Sequence, residues 1–190
     1  MQRIGLLFRG FLSRDISFLR AAFVTYIRPL VEYCSVVWSP STKKYIDILE
    51  KVQKNFSKRI PCLRGLSYKD RLVHLNLQPL ELRRLHFSLI FYFNILHNRS
   101  CINKDEFFTF HVPPASSRQS APFIQKPRSA NNRLLSSFRY RSVDCWNSLP
   151  QEIQNASSTK SFKIALTKTD LLSFLYGSSF TALCDFSTHL

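Results

Sequence analysis

Glycine is scarce in this chain, 4 residues in 190. That excludes a collagen-like repeat, and there is no Gly-rich loop of the kind that cradles nucleotide phosphates. Acidic residues are also few, 12 against 27 basic ones, so the formal net charge is +15. The longest uncharged runs, Leu85–Asn98 and Leu171–Cys184, fall short of the roughly 18 residues that a membrane span requires, and no membrane partner is expected. Between Arg3 and Arg9 the apolar stretch is too brief for the core of a secretory leader. Cysteines stand at 34, 62, 101, 145 and 184, far apart and odd in number. This argues against a disulfide scaffold and for reduced thiols in the cytosol or nucleus. Cys-x-x-Cys, Gly-x-Ser-x-Gly and Asp-Asp are all missing. His86, His97 and Cys101 do not form the close ligand pairs of a structural zinc site, so no metal, cofactor or catalytic residue is expected.

What the chain does have is apolar and basic. Hydrophobic residues make up 45% and aromatic residues 14%, with 17 Phe. A chain disordered throughout could not keep so much apolar surface in water. Strong positive charge on a folded chain points to a polyanionic partner, nucleic acid first. The charge is uneven: residues 1–99 carry 17 basic and 6 acidic side chains. Composition shifts at the same place, since Val112–Asn132 is rich in Pro, Ser, Ala, Asn and Gln and reads as a loop or boundary. The expected organisation is a helical domain over 1–99, a basic loop or linker over 100–137, a C-terminal segment over 138–176 and a tail over 177–190.

The fold class expected from periodicity is mainly α. Ser13 or Asp15 can cap a helix with Phe18, Leu19, Ala22, Phe23, Tyr26 and Ile27 on one face, which Pro29 then kinks or ends. A second helix starts near Thr42, with Tyr45, Leu49, Val52 and Phe56 as its apolar face, and Pro61 stops it. A third runs near Ser67–Leu75, with Ser67 and Asp70 at capping-box spacing. A fourth opens at Pro79 and reaches about His97. Phe87, Ile90, Phe91, Tyr92 and Ile95 make its second half apolar nearly all round, so it must be buried on every side or expose Phe87, Phe91 and Ile95 to a partner. Phe138–Trp146 fits a strand or a helix, and Ser161–Tyr176 fits a helix.

Three groups of basic residues stand out. On the helix at 44–59, Lys44, Lys51, Lys54 and Lys58 fall opposite the expected apolar face. They form either a phosphate-tracking face or a solvated one, in which Asp47–Lys51 and Glu50–Lys54 pair at the favoured spacing. A second group is Arg64, Lys69, Arg71, Arg83 and Arg84. A third is Arg118, Lys126, Arg128, Arg133, Arg139 and Arg141, interspersed with Phe123, Phe138 and Tyr140 and with no acid between Glu106 and Asp144. That mixture suits phosphate neutralisation with base stacking, or a disordered basic linker.

Several segments together resemble one family. Tyr26-Ile-Arg-Pro-Leu-Val-Glu-Tyr33 with Trp38-Ser-Pro40 is similar to the Y-x-R-P-x-x-E-Y … W-x-P segment of non-LTR (LINE-type, jockey-like) retrotransposon reverse transcriptases, downstream of their catalytic palm. Leu49–Ile60, Tyr68–Leu72 and Pro79–Arg84 resemble the blocks that follow. Phe138–Arg141 with Trp146–Pro150 resembles the F-x-x-R … W-N-x-L-P block, and Phe162-Lys163 the last. The blocks keep the family's order over about residues 3–176. Ser88 and Phe93-Asn94 depart from its usual acidic and Tyr-Lys positions.

The resemblance implies a transposable-element origin and, for a whole element protein, RNA-directed DNA polymerase activity. The palm's paired aspartates are not in this sequence, so the chain is expected to be inactive alone: a fragment comprising the thumb domain, a thumb-like helical bundle followed by a smaller irregular α segment. Its implied role is non-catalytic binding of template RNA or DNA backbone without sequence preference, beside the palm and fingers of the same polyprotein. The candidate nucleic-acid contacts are Lys51, Lys54, Lys58, Arg59, Arg83 and Arg84. Arg28, Glu32, Tyr33 and Trp38 read as structural, with Arg28–Glu32 at i,i+4 spacing. Two alternatives stay open: a retrotransposon-derived protein-interaction module that docks through the fourth helix, and an enzyme with a Cys/His site.

Overall fold

A computed structural model describes residues 2–111, 123–128 and 131–175. The fold is mainly α. By internal contacts the described residues divide into two units, one comprising 2–35, 40–84 and 172–175, the other 36–39, 85–111, 123–128 and 131–171. Most of the Pro/Ser-containing stretch, and the tail beyond Leu175, lie outside the described residues.

The first unit opens with a helix that the sequence reading did not anticipate, α1, Gln2–Gly10. Its Ile4 and Leu7 are buried, and Phe8 packs on Phe56 with ring centroids 6.0 Å apart. Asp15 caps α2, Ile16–Ala22, by accepting the Phe18 N–H at 2.9 Å. Leu19, Ala22, Phe23 and Ile27 are buried as expected, but Phe18 and Tyr26 are exposed.

Pro29 does not end this helix. A π-helical turn, Phe23–Ile27, intervenes before α3, Arg28–Glu32. The Arg28 N–H donates to Phe23 O, and the widened turn absorbs the mismatch that proline's ring and missing donor create.

Helix α4 runs Lys43–Lys58, close to the expected limits, but its buried face is not the expected one. Ile46, Glu50, Gln53, Phe56 and Ser57 point inward, whereas Tyr45 is exposed and Leu49 and Val52 are only half-buried. The rotation follows from polar partners on the inner side. Tyr68, on α5 (Tyr68–His74), donates to Glu50 Oε1, and the Leu80 N–H donates to Glu50 Oε2 at 3.0 Å. Gln53 donates to Gln78 O at 3.0 Å, and Arg71 donates to Ser57 Oγ at 3.1 Å. Such pairing offsets most of the cost of burying these polar groups, although Gln53 Oε1 has no hydrogen-bond partner among the described residues.

Ser67 caps α5 as its spacing with Asp70 predicts, accepting the Asp70 N–H at 3.2 Å. Asn76 then adopts φ 46°, and the Leu77 N–H closes back on Leu72 O at 3.0 Å. This left-handed stop is normally glycine's work. Asn98 repeats it after α6, Leu80–Leu96, with φ 54° and the Arg99 N–H on Asn94 O at 2.7 Å. In a chain so short of glycine, asparagine ends two helices, being the residue other than glycine that best tolerates this region.

The division between units falls inside α6, between Arg84 and Leu85. In the second unit its all-round apolar half is covered within the unit, the first of the two expected alternatives, and Ile95 does not face outward. Tyr92, Phe93 and Ile95 have no exposure, and Phe87 and Phe91 are half-buried. The rest of this unit consists of short elements: α7 Lys104–Phe107, the antiparallel pair β1 Phe110–His111 and β2 Phe123–Ile124, α8 Asn132–Leu135, α9 Phe138–Arg141, α10 Val143–Ser148, α11 Gln151–Gln154 and α12 Thr159–Thr167. Phe162 stacks on Phe93 at 4.4 Å. Phe108, Phe138 and Trp146 surround Tyr92, whose hydroxyl donates to Phe138 O at 2.8 Å. Segment 138–146 is helical, not a strand.

Candidate nucleic-acid interface

The six residues expected to meet phosphate separate into two kinds. Lys51, Lys58 and Arg59 are exposed, and no carboxylate pairs with them among the described residues. Lys51 and Lys58 are seven residues apart on α4, which puts them on one side of the helix about 10 Å apart along its axis. Arg59 is the C-cap residue of the same helix. Lys54 is half-buried, with its ammonium 5.2 Å from the centre of the Tyr68 ring. Its expected partner Glu50 faces the core, where burial pushes the carboxyl above its usual range against the opposing pull of the Tyr68 and Leu80 hydrogen bonds and of the Lys54 charge.

Arg83 and Arg84 are engaged within the first unit. Arg84 is 5% exposed and donates to Val31 O. Arg83 makes a two-pronged contact with Glu32, its Nη2 on Oε2 at 3.1 Å. The same carboxylate meets Arg28 at 3.8 Å, the pair expected from the i,i+4 spacing. Both arginines tie the start of α6 to α3, Arg84 from a buried position and Arg83 from a half-buried one. Tyr33 and Trp38, read as structural, are exposed at 74% and 41%.

The other basic groups are largely committed as well. Arg71 is buried on Ser57 Oγ and Leu66 O. Arg141 donates to Val36 O and to Ser88 Oγ. Lys126 pairs with Asp144. Arg64 and Arg128 are exposed. Arg118 and the side chain of Arg133 lie outside the described residues. Fewer cations are available than the composition suggests, and those on α4 form the most coherent set.

Sequence reasoning missed Arg9, because α1 was not recognised. A methyl group placed on Gly5 would meet Arg59 Nη1 at 3.8 Å and Arg9 Nη2 at 3.9 Å. Ile4, Leu7, Phe8 and Phe11 at i, i+3, i+4, i+7 were the available signal for that helix.

Among the cysteines, Cys184 lies outside the described residues. Cys34, Cys62 and Cys101 are exposed and Cys145 is buried. Burial, and secondarily the nearby Asp144, pushes the Cys145 thiol up to about 12, which suppresses the reactive thiolate. His97 Nε2 lies 2.8 Å from Gln154 O.

No protein-family model and no solved structure matches the chain. Among curated proteins it is similar to an uncharacterized protein of Caenorhabditis elegans, 28% identical over 121 residues that cover 62% of this chain and 56% of that protein. The chain therefore spans little more than half the length of the curated relative it matches.

Proposed function

We propose that this chain grips the sugar–phosphate backbone of RNA or DNA as the non-catalytic, thumb-like part of a retrotransposon-type reverse transcriptase, holding by charge and shape without reading base sequence. One observation carries the reading: Lys51, Lys58 and Arg59 leave one helix, face solvent and have no carboxylate partner among the described residues. The motif order described above supplies the reverse-transcriptase half of the proposal. The site contacts are Lys51, Lys58 and Arg59, with Lys54 contributing less and with Arg83 and Arg84 holding the scaffold.

The test is binding of a labelled oligonucleotide across a salt series. Each neutralised phosphate releases counterion, so log affinity falls with log salt by roughly 0.7–0.9 per contact. K51Q/K58Q/R59Q is expected to lower that slope by about two units while the helical circular dichroism stays unchanged. An unchanged slope means that these cations are only solvated. A strong preference for one base sequence also contradicts the proposal, because backbone contacts carry no sequence information.

A further inference from the structure

Two guanidinium groups from different helices converge on one glycine. Arg9 belongs to the last turn of α1, and Arg59 caps α4. Arg9 lies four residues after Gly5, and helical side chains lean toward the N-terminus, so its guanidinium covers the turn that contains Gly5. Phe8 packs on Phe56, and Ile4 and Leu7 share one core cluster with Phe56 and Ile60, which places α1 beside the end of α4 where Arg59 stands. Arg59 Nη1 and Arg9 Nη2 stand 3.8 and 3.9 Å from where a Gly5 side chain would begin, so no more than the sum of those distances separates them. Both arginines are exposed, and no carboxylate meets either among the described residues. Two like charges held this close repel each other, and the space Gly5 leaves beside them holds no counter-charge. The C-terminal ends of the two helices account for a cation at each position. They do not account for the convergence on a residue that has no side chain.

We propose that Arg9 and Arg59 form a two-guanidinium clamp on a single backbone phosphate of nucleic acid, seated over Gly5. The inference rests on the backbone-binding reading above and adds a residue and a geometry to it. A phosphate oxygen pair can accept from both guanidiniums at once, and such charge-assisted bonds are about twice as strong as neutral ones. The clamp fixes where on the strand the Lys51–Lys58 row begins.

A double-mutant cycle tests this with a fluorescein-labelled oligouridylate. If one phosphate is shared, R9Q and R59Q each weaken binding about tenfold and R9Q/R59Q hardly more, whereas independent contacts would multiply to about a hundredfold. Multiplicative losses, or an R9Q protein that binds like wild type, overturn the clamp and leave the backbone-binding reading standing. A wild-type chain that binds no oligonucleotide overturns that reading and the clamp with it. Loss of thermal stability in R9Q and R59Q with affinity and salt slope intact would make both arginines mere helix-end cations. Gly5 supplies a second route. G5E sets a carboxylate between the guanidiniums, while G5Q has the same size and similar helix propensity without charge. G5E is expected to bind at least tenfold more weakly than G5Q, and equal binding by the two overturns the clamp.

Discussion

Tyr68 donates its hydroxyl hydrogen to Glu50, a carboxylate 1% exposed on the inner face of α4. The other oxygen of Glu50 takes the Leu80 N–H at the start of α6. One side chain thereby joins three helices and satisfies a helix-end donor that has no partner within its own helix.

Stability should depend on pH through Glu50. Burial raises its folded-state pKa above the usual carboxylate range, so the folded form prefers the proton. This contribution is fully present below the unfolded carboxylate range and is lost as pH rises through the raised value. Urea midpoints of wild type should therefore fall across that interval relative to those of E50Q, which has no such titration. E50A leaves the Leu80 N–H and the Tyr68 hydroxyl without this partner and is expected to lose about 1–3 kcal/mol for each.

Arg84 should behave as a structural residue. R84Q removes the donor to Val31 O and is expected to lower stability by about 1–3 kcal/mol, while the salt slope for nucleic-acid binding stays at the wild-type value. Chemical denaturation and a salt titration on the same protein separate the two effects. A lowered slope at full stability would return Arg84 to the interface.

Lys54 and Lys58 should differ although they are four residues apart. The Lys54 ammonium lies over the Tyr68 ring, while Lys58 is exposed. K58Q is expected to lower the salt slope by about 0.7–0.9 and K54Q by clearly less. Equal losses would show that Lys54 leaves the ring to reach phosphate.

Phe162 should anchor the second unit. It is fully buried and stacks on Phe93, so F162A is expected to cost about 3–5 kcal/mol. Trp38 and Trp146 both belong to this unit, and tryptophan fluorescence during urea unfolding reports on it directly.

Thiol labelling should divide the cysteines. Cys34, Cys62 and Cys101 are expected to react in the native protein, and Cys145 only after denaturation, as mapped by mass spectrometry of labelled peptides. Rapid native labelling of Cys145 would revive an enzymatic reading.

The ends of the main helices were legible because their signals are local. Pro61 after α4, the Ser67–Asp70 cap and Pro79 before α6 all act within a few residues of the backbone they direct. The Arg28–Glu32 pair was legible for the same reason. What the tertiary structure decided is which side of each helix faces inward. A hydrophobic stripe placed Tyr45 and Leu49 inside, yet α4 turned to bury Glu50, Gln53 and Ser57, because their partners Tyr68, Gln78, Leu80 and Arg71 come from elements distant in sequence. That rotation took Glu50 away from the surface, and packing against α3 engaged Arg83 with Glu32 and Arg84 with Val31 O. The meeting of Arg9 with Arg59 is of the same kind. Each charge is plain in the sequence, but their proximity depends on how Ile4, Leu7 and Phe8 share a core with Phe56 and Ile60, and contacts between residues some fifty positions apart leave no periodicity to read.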